Sequence, residues 1–276
     1  MDRGWGVSGS GPTGLVASRL CRPSFHLGFV SIRHACLSPA LEVLDLKEAQ
    51  RSQTLYMSRQ QSFTAVGLLG DQVLAGDNSG TVRLLQLSRG GEPQIVMRGG
   101  GQITDIATSR SGAIAACSSS NGSIRFIEMR SGKESRTVTG PPDSANHIAF
   151  ATDDRLAVGG SEGRLRVLDV KTGQEQLNIQ TGRSPIVAVA GSLSGWVVVA
   201  FGDGKSEPTF VNCLNGTEVP CLRGKAGPAS VIACTEDGRL LLCASAESAS
   251  CWQKQREIDA ERQGIPGDFE EADGIA

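Results

Sequence analysis

A chain of 276 residues is long enough for one large all-β domain or two small ones, and with aromatics at 4% its core must rest on Val, Ile, Leu and Ala. A formal charge of -2 argues against a non-specific nucleic-acid binder that works by neutralising phosphates. No stretch reaches the ~20 consecutive apolar residues that a membrane-spanning helix needs.

Taken from the start, residues 3 to 41 hold no Asp or Glu and four arginines (3, 19, 22 and 33) among many Ser and Gly. That composition is shared by organelle transit peptides and by flexible leaders, so residues 1–39 are set apart as a leader. The first ordered spelling is LEVLDL at 41–46, and it returns almost letter for letter as LRVLDV at 165–170. Between them lie VRLLQL (82–87) and IRFIEM (124–129), and beyond them the weaker TFVNCL (209–214) and ASCWQK (249–254). Anchors at Leu44, Leu85, Ile127, Leu168, Val211 and Trp252 are 41, 42, 41, 43 and 41 residues apart. A period of ~40–45 residues marks a repeat architecture.

Each repeat has the same punctuation. A turn with glycine precedes three of the anchored strands, as Asn78-Ser79-Gly80, Asn121-Gly122 and Glu162-Gly163. Upstream of it runs an apolar stretch: QVLAG (72–76), AIAAC (113–117), RLAVGG (155–160), WVVVAF (196–201) and RLLLCAS (239–245). A second precedes that one: TAVGLL (64–69), ITDIAT (103–108), HIAFA (147–151), IVAVA (186–190) and SVIAC (230–234). After the anchor come Gly91, Gly132, Gly173 and Gly216, then a short strand such as QLNIQ (176–180). Short strands at even spacing, with no long helical pattern, predict an all-β chain. Four strands in ~41 residues cannot bury both faces alone, and radial stacking of such sheets is a β-propeller. We expect about five complete four-stranded blades and an eroded or partial sixth, whose opening strands would come from residues 20–38. Residues 259–276 are acidic with little apolar content and read as a solvated, disordered tail.

A strand reading L-R-V-L-D-V after a turn that ends in glycine resembles the WD-repeat β-propeller family over residues 40–258. Where that family typically has Trp-Asp, this chain has Leu44-Asp45, Leu85-Gln86, Ile127-Glu128, Leu168-Asp169, Val211-Asn212 and Trp252-Gln253. The family's buried network of Trp, Asp and His is largely missing, which implies a degenerate propeller dependent on aliphatic packing. The resemblance implies a non-catalytic scaffold for protein–protein interaction within a larger complex.

Catalysis would need converging titratable groups on the inner strands. Those strands offer only Asp105 and His147, so no catalytic residue is assigned; a propeller enzyme with a central-channel site is the alternative class. The eight cysteines include no CxxC pair and the three histidines are isolated, so neither a metal site nor a cofactor is expected. Reduced thiols suit an intracellular protein, cytoplasmic or nuclear, or organellar if residues 1–39 are a transit peptide. In the family, loops joining successive blades share a rim with the middle turns. Here that rim carries Arg59, Arg98, Arg183, Arg223 and Lys225 in the loops, with Asp77, Glu162 and Asp203 in the turns. Mixed charge suits a peptide or protein partner read by complementarity. A phosphoinositide-binding propeller, at a membrane surface, would carry a double arginine followed by glycine; MRG and LRG have one arginine each.

Overall fold

The computed structural model describes residues 28–33, 40–45, 50–57, 61–69, 71–86, 91–140, 146–182, 184–191, 195–220, 229, 231–234, 240–244, 249–254 and 269–271. Among them there is no helix. None therefore is long and apolar enough to cross a membrane. The chain divides into two compact units, Met1–Ile148 and Ala149–Ala276.

In the first unit, β1 (Gly28–Arg33), β2 (Ala40–Asp45) and β3 (Gln50–Met57) form a three-stranded antiparallel sheet. Next come β4 (Phe63–Leu69), β5 (Gln72–Asp77), β6 (Val82–Gln86) and β7 (Gln94–Met97), hydrogen-bonded in chain order. The following blade is β8 (Ile103–Thr108), β9 (Ile114–Ser119), β10 (Ser123–Glu128) and β11 (Lys133–Thr139). The next begins at the end of this unit with β12 (His147–Thr152) and continues through β13 (Arg155–Gly159), β14 (Arg164–Asp169) and β15 (Glu175–Gln180). The second unit adds β16 (Ile186–Gly191), β17 (Trp196–Phe201), β18 (Thr209–Asn212) and β19 (Glu218–Pro220). Its last sheet is β20 (Val231–Cys234), β21 (Leu240–Ala244), β22 (Ala249–Lys254) and β23 (Phe269–Glu271). Among the described residues there are thus five four-stranded blades and one three-stranded sheet, each with its strands hydrogen-bonded in chain order.

Two placements differ from the expected boundaries. β1 lies inside the stretch set apart as a leader, within the residues 20–38 from which opening strands of the partial sixth blade were expected, and pairs along its whole length with β2. Phe269–Glu271 lies inside the stretch expected to be solvated and pairs with β22, which completes that blade. An otherwise open sheet edge gains backbone hydrogen bonds from any extended segment that reaches it, whatever its charge.

The second strand of each blade explains the apolar spelling. β17 is buried at every residue and β5 and β9 at all but the first, so both faces are covered and both phases are apolar. The outer strands β11 and β15 instead alternate between exposed and half-buried residues. All four described anchors sit in the core, with Ile127 and Val211 at 0% exposure, Leu168 at 2% and Leu85 at 6%. Enclosing a side chain of that size contributes about 1.5–3 kcal/mol. The polar letter that follows acts locally. Asp169 Oδ1 accepts from Thr172 N at 2.7 Å and Asn212 Oδ1 from Leu214 N at 2.8 Å. Each closes the turn after its strand.

Neighbouring blades meet through glycine. A Cβ added at Gly76 would lie 2.5 Å from Cγ2 of Ile103, and one at Gly159 would lie 2.6 Å from Cγ2 of Ile186. In both places the last part of a second strand accepts the first residue of the next inner strand. Hydroxyls reinforce the seam in the first unit, where Thr64 Oγ1 donates to Ile103 O at 2.6 Å and Thr108 Oγ1 to Leu68 O at 3.0 Å. Register shifts recur between Phe63 and Ala65, Ile103 and Asp105, and Ile186 and Ala188. One extra residue in each inner strand bends the strand and increases its twist.

Candidate functional site

The expected rim is built from the middle turns and from the loops that join successive blades. In the first unit the turn after β5 closes on Asp77. Its Oδ1 accepts from Ser79 N at 2.8 Å, Ser79 Oγ at 2.6 Å and Thr81 N at 3.0 Å. Its Oδ2 receives the Arg83 guanidinium, whose other arm donates to Gln61 Oε1 at 2.8 Å and which lies 5.9 Å from the Phe63 ring centre. Burial alone would raise this carboxyl. The Ser79 hydroxyl, the Arg83 guanidinium and the Thr81 and Ser79 amides more than offset that and hold it below the ordinary carboxylate value.

Asp77 therefore corrects the expectation for it. It has 0% exposure and is the internal acceptor of its turn, not a group offered to a partner. An enclosed carboxylate is retained only where donors surround it, and here the turn supplies them. The next blade solves the same problem without charge: Asn121 Oδ1 accepts from Ser123 N at 2.9 Å and from Ser123 Oγ at 2.6 Å.

Arg98 is exposed and opens the loop that passes over these two turns. Gly99, Gly100 and Gly101 follow with φ of 74°, 98° and 88°, a run that other residues would strain to adopt. Gly80, with φ 80°, lies beneath: a Cβ there would come within 2.4 Å of Gly101 O and 2.8 Å of Gly99 O. Arg125 pins the loop from the side. Its Nη1 donates to Gly99 O at 2.7 Å and to Arg98 O at 3.2 Å, while Nε and Nη2 hold Glu134 Oε2 at 3.1 and 2.5 Å. The Arg125 hydrogen bonds keep the Glu134 carboxyl below its usual range. Ser119 Oγ donates to Gly100 O.

The second unit repeats the arrangement with acids. Glu162 is exposed, and Arg164 Nε lies 3.7 Å from its Oε2. Gln180 Nε2 ties the Glu162 carbonyl, at 3.2 Å, to that of Gly182. Asp203, also exposed, accepts from Ser184 Oγ at 3.1 Å, Lys205 N at 3.0 Å and Ser206 N at 2.8 Å. With the Ser206 hydroxyl leading, these donors hold its carboxyl far below the ordinary range. Of the rim residues expected from sequence, Arg98 is exposed in the first unit and Glu162 and Asp203 in the second. Arg59, Arg183, Arg223 and Lys225 lie outside the described residues.

Sequence reasoning missed a recurring arginine. Arg83, Arg125 and Arg166 are the second letters of VRLLQL, IRFIEM and LRVLDV and stand opposite Ala75, Cys117 and Val158 on the second strands. The signal lay in the repeat itself, one letter after its first. On the inner strands, Asp105 Oδ1 accepts from Ile106 N at 2.8 Å and Oδ2 from Ile148 N at 3.0 Å. Burial pushes the Asp105 carboxyl up to about 6, against those two amides, and pushes the neighbouring His147 down to about 4. Cys117 and Cys213 are buried free thiols, each pushed up to about 12 by burial. Among the described residues no three His, Cys, Asp or Glu side chains stand close enough to share a metal ion.

No family model matches the chain. It is similar to the WD repeat-containing protein SL1-17 of Schistosoma mansoni, 28% identical over 144 residues, which cover 52% of this chain and 47% of that protein. This chain thus spans about half the length of that curated relative. Among solved structures, a chain in the crystal structure of the mitotic checkpoint complex superposes with a TM-score of 0.68 at 14% identity, over 83% of this chain and 73% of that one. The fold is that of a β-propeller, and half of the chain is similar in sequence to a WD repeat-containing protein. Where WD repeats typically carry tryptophan on this strand, this chain has Leu85, Ile127 and Leu168, and Asp77 and Asn121 are the acceptors that hold the two turns.

Proposed function

We propose that this WD-repeat propeller is a non-catalytic platform on which protein or peptide partners assemble into a larger complex, docking across the rim of loops and turns. One observation carries the reading. The exposed loop at Arg98–Gly101 is fastened by Arg125 and Ser119, so a cation and three glycine backbones are presented in a fixed geometry. A loop ordered before binding loses little further entropy when a partner arrives. In the second unit Glu162 and Asp203 are the exposed acids of the corresponding turns, and by sequence Arg59, Arg183, Arg223 and Lys225 fall in loops of the same kind. The non-catalytic part rests on the inner strands: both oxygens of the Asp105 carboxyl are engaged by backbone amides, which leaves it a structural acceptor.

The test is charge reversal followed by affinity purification and mass spectrometry. Arg98→Glu, alone and combined with Arg183→Glu and Arg223→Glu, is expected to leave the fold intact and to remove the specific co-purifying partners. Retention of every partner by the triple variant would overturn the rim reading. A positive hydrolase screen on the purified protein would overturn its non-catalytic part.

A further inference from the structure

Five four-stranded blades present five outer strands among the described residues, and four of them are blunted. β7 has four residues, β19 three ending in Pro220, β23 three, and β11 carries Lys133 and Arg136. Shortness, proline and cations are the usual devices that keep a sheet edge from recruiting another strand. β15, reading EQLNIQ, has six residues and none of these.

The side chains of β15 alternate as a receptive edge should. Glu175, Gln176, Asn178 and Gln180 are exposed, while Leu177 and Ile179 are half-buried against the cluster that includes Leu165, Val167 and Val211. Ile179 also lies over Gly216, at the turn before β19, with its Cδ1 3.6 Å from where a Cβ would stand. On β19, Glu218 pairs directly with Val211 with no register shift, so both point to the face that Leu177 and Ile179 cover. Glu218 is exposed and has no hydrogen bond or ion pair among the described residues, and partial desolvation by its neighbours raises its carboxyl above the ordinary value. Glu175 adds a second carboxylate, bound to Asn178 Nδ2 at 3.0 Å. Two cations stand nearby on β14: Arg164, shared between Asn178 Oδ1 at 3.1 Å and Glu162 at 3.7 Å, and Arg166, the register partner of Asn178.

We propose that β15 is a docking edge for an extended segment of a partner protein, which adds a fifth strand to this blade. The segment carries apolar side chains at alternate positions, to cover Leu177 and Ile179, and a lysine or arginine within reach of Glu218. Backbone hydrogen bonds give such strand addition its affinity, and alternate side chains give it specificity. Charge decides the kind of partner, since a second copy of this chain would bring the same two carboxylates together with an Arg164 already shared between Asn178 and Glu162.

The test selects binders to the full chain from a random dodecapeptide library and measures the synthesised winners by fluorescence anisotropy. Alternating apolar residues with at least one Lys or Arg are expected, and amide exchange at residues 175–180 should slow when the peptide is bound. The surface pair Gln176→Lys and Asn178→Lys should weaken binding at least ~10-fold, and Glu218→Gln roughly 3- to 10-fold with a smaller salt dependence. Arg98→Glu, which should remove rim partners, should leave the affinity of this peptide as it is, and that separates this edge from the rim. If the lysine pair unfolds the protein, the exchange pattern of the wild-type complex decides. The proposal is overturned if nothing is enriched, if Arg98→Glu removes binding, or if the lysine pair does not. It is overturned equally if the wild-type chain self-associates and the lysine pair abolishes that association, since β15 is then the contact between copies.

Discussion

Arg83 reaches across its own turn to a carboxylate with no exposure, so replacing it leaves an enclosed charge without its cation. Arg83→Met is expected to cost about 3–5 kcal/mol in urea unfolding. The double change Asp77→Asn with Arg83→Met should recover most of that loss, because Asn121 holds the equivalent turn of the next blade with a neutral oxygen. The inner strands carry a second prediction, and here the signs oppose. Asp105 has its folded value raised from 3.8 to about 6, so its contribution to stability is full below pH 4 and is lost as pH rises through 6. His147 has its folded value lowered from 6.5 to about 4, so its contribution is full above pH 6.5 and is lost as pH falls through 4. Between about pH 4 and 6.5 the two slopes offset one another. Asp105→Asn should expose the His147 slope, with stability falling as the solution is acidified; His147→Gln should expose the Asp105 slope, with stability rising. Each swing is on the order of 3 kcal/mol, read from urea unfolding at half-unit pH steps. If both single variants keep the wild-type profile, the two groups do not titrate as described.

At the scale of the strand, burial on both faces leaves little room. Gly76→Val would force its side chain onto Ile103, and overfilling of that kind costs about 1–3 kcal/mol. Ile127→Ala works in the other direction, emptying a site with 0% exposure at about 2–5 kcal/mol. Thermal melts of the two variants beside the wild type check both. The period made the anchors legible before any coordinate, because a side chain that recurs every ~41 residues has the same neighbours each time. The second-letter arginines were equally periodic, yet a lone arginine on a strand reads as a solvated charge until its acceptors are known. Asp77 shows the converse. Its position on a turn was legible; that three donors of the same turn would draw its carboxylate inward was not.

For the whole molecule, each blade is a thin sheet whose cohesion depends on neighbours, as in other repeat proteins. Hydrogen exchange should therefore rank strands by depth within a blade. The amides of β9 and β17, buried nearly throughout, are expected to exchange last, and those of the outer strands β11 and β15 first. Uniform protection across each blade would contradict that ranking. The rim and the β15 edge follow from the same construction: turns and outer strands are what a blade has left to offer once its middle strands are covered.

The linear order of residues was enough to settle the class of architecture, the number of strands per repeat and the aliphatic core, since these depend on periodicity and on which residues avoid water. It also carried the resemblance to WD-repeat propellers. It was silent on β23, on the paired Asp77 and Arg83, on the loop clasped by Arg125, and on which outer strand stands unprotected. Those depend on contacts between residues up to tens of positions apart, and only the folded chain brings donor to acceptor or leaves an edge bare.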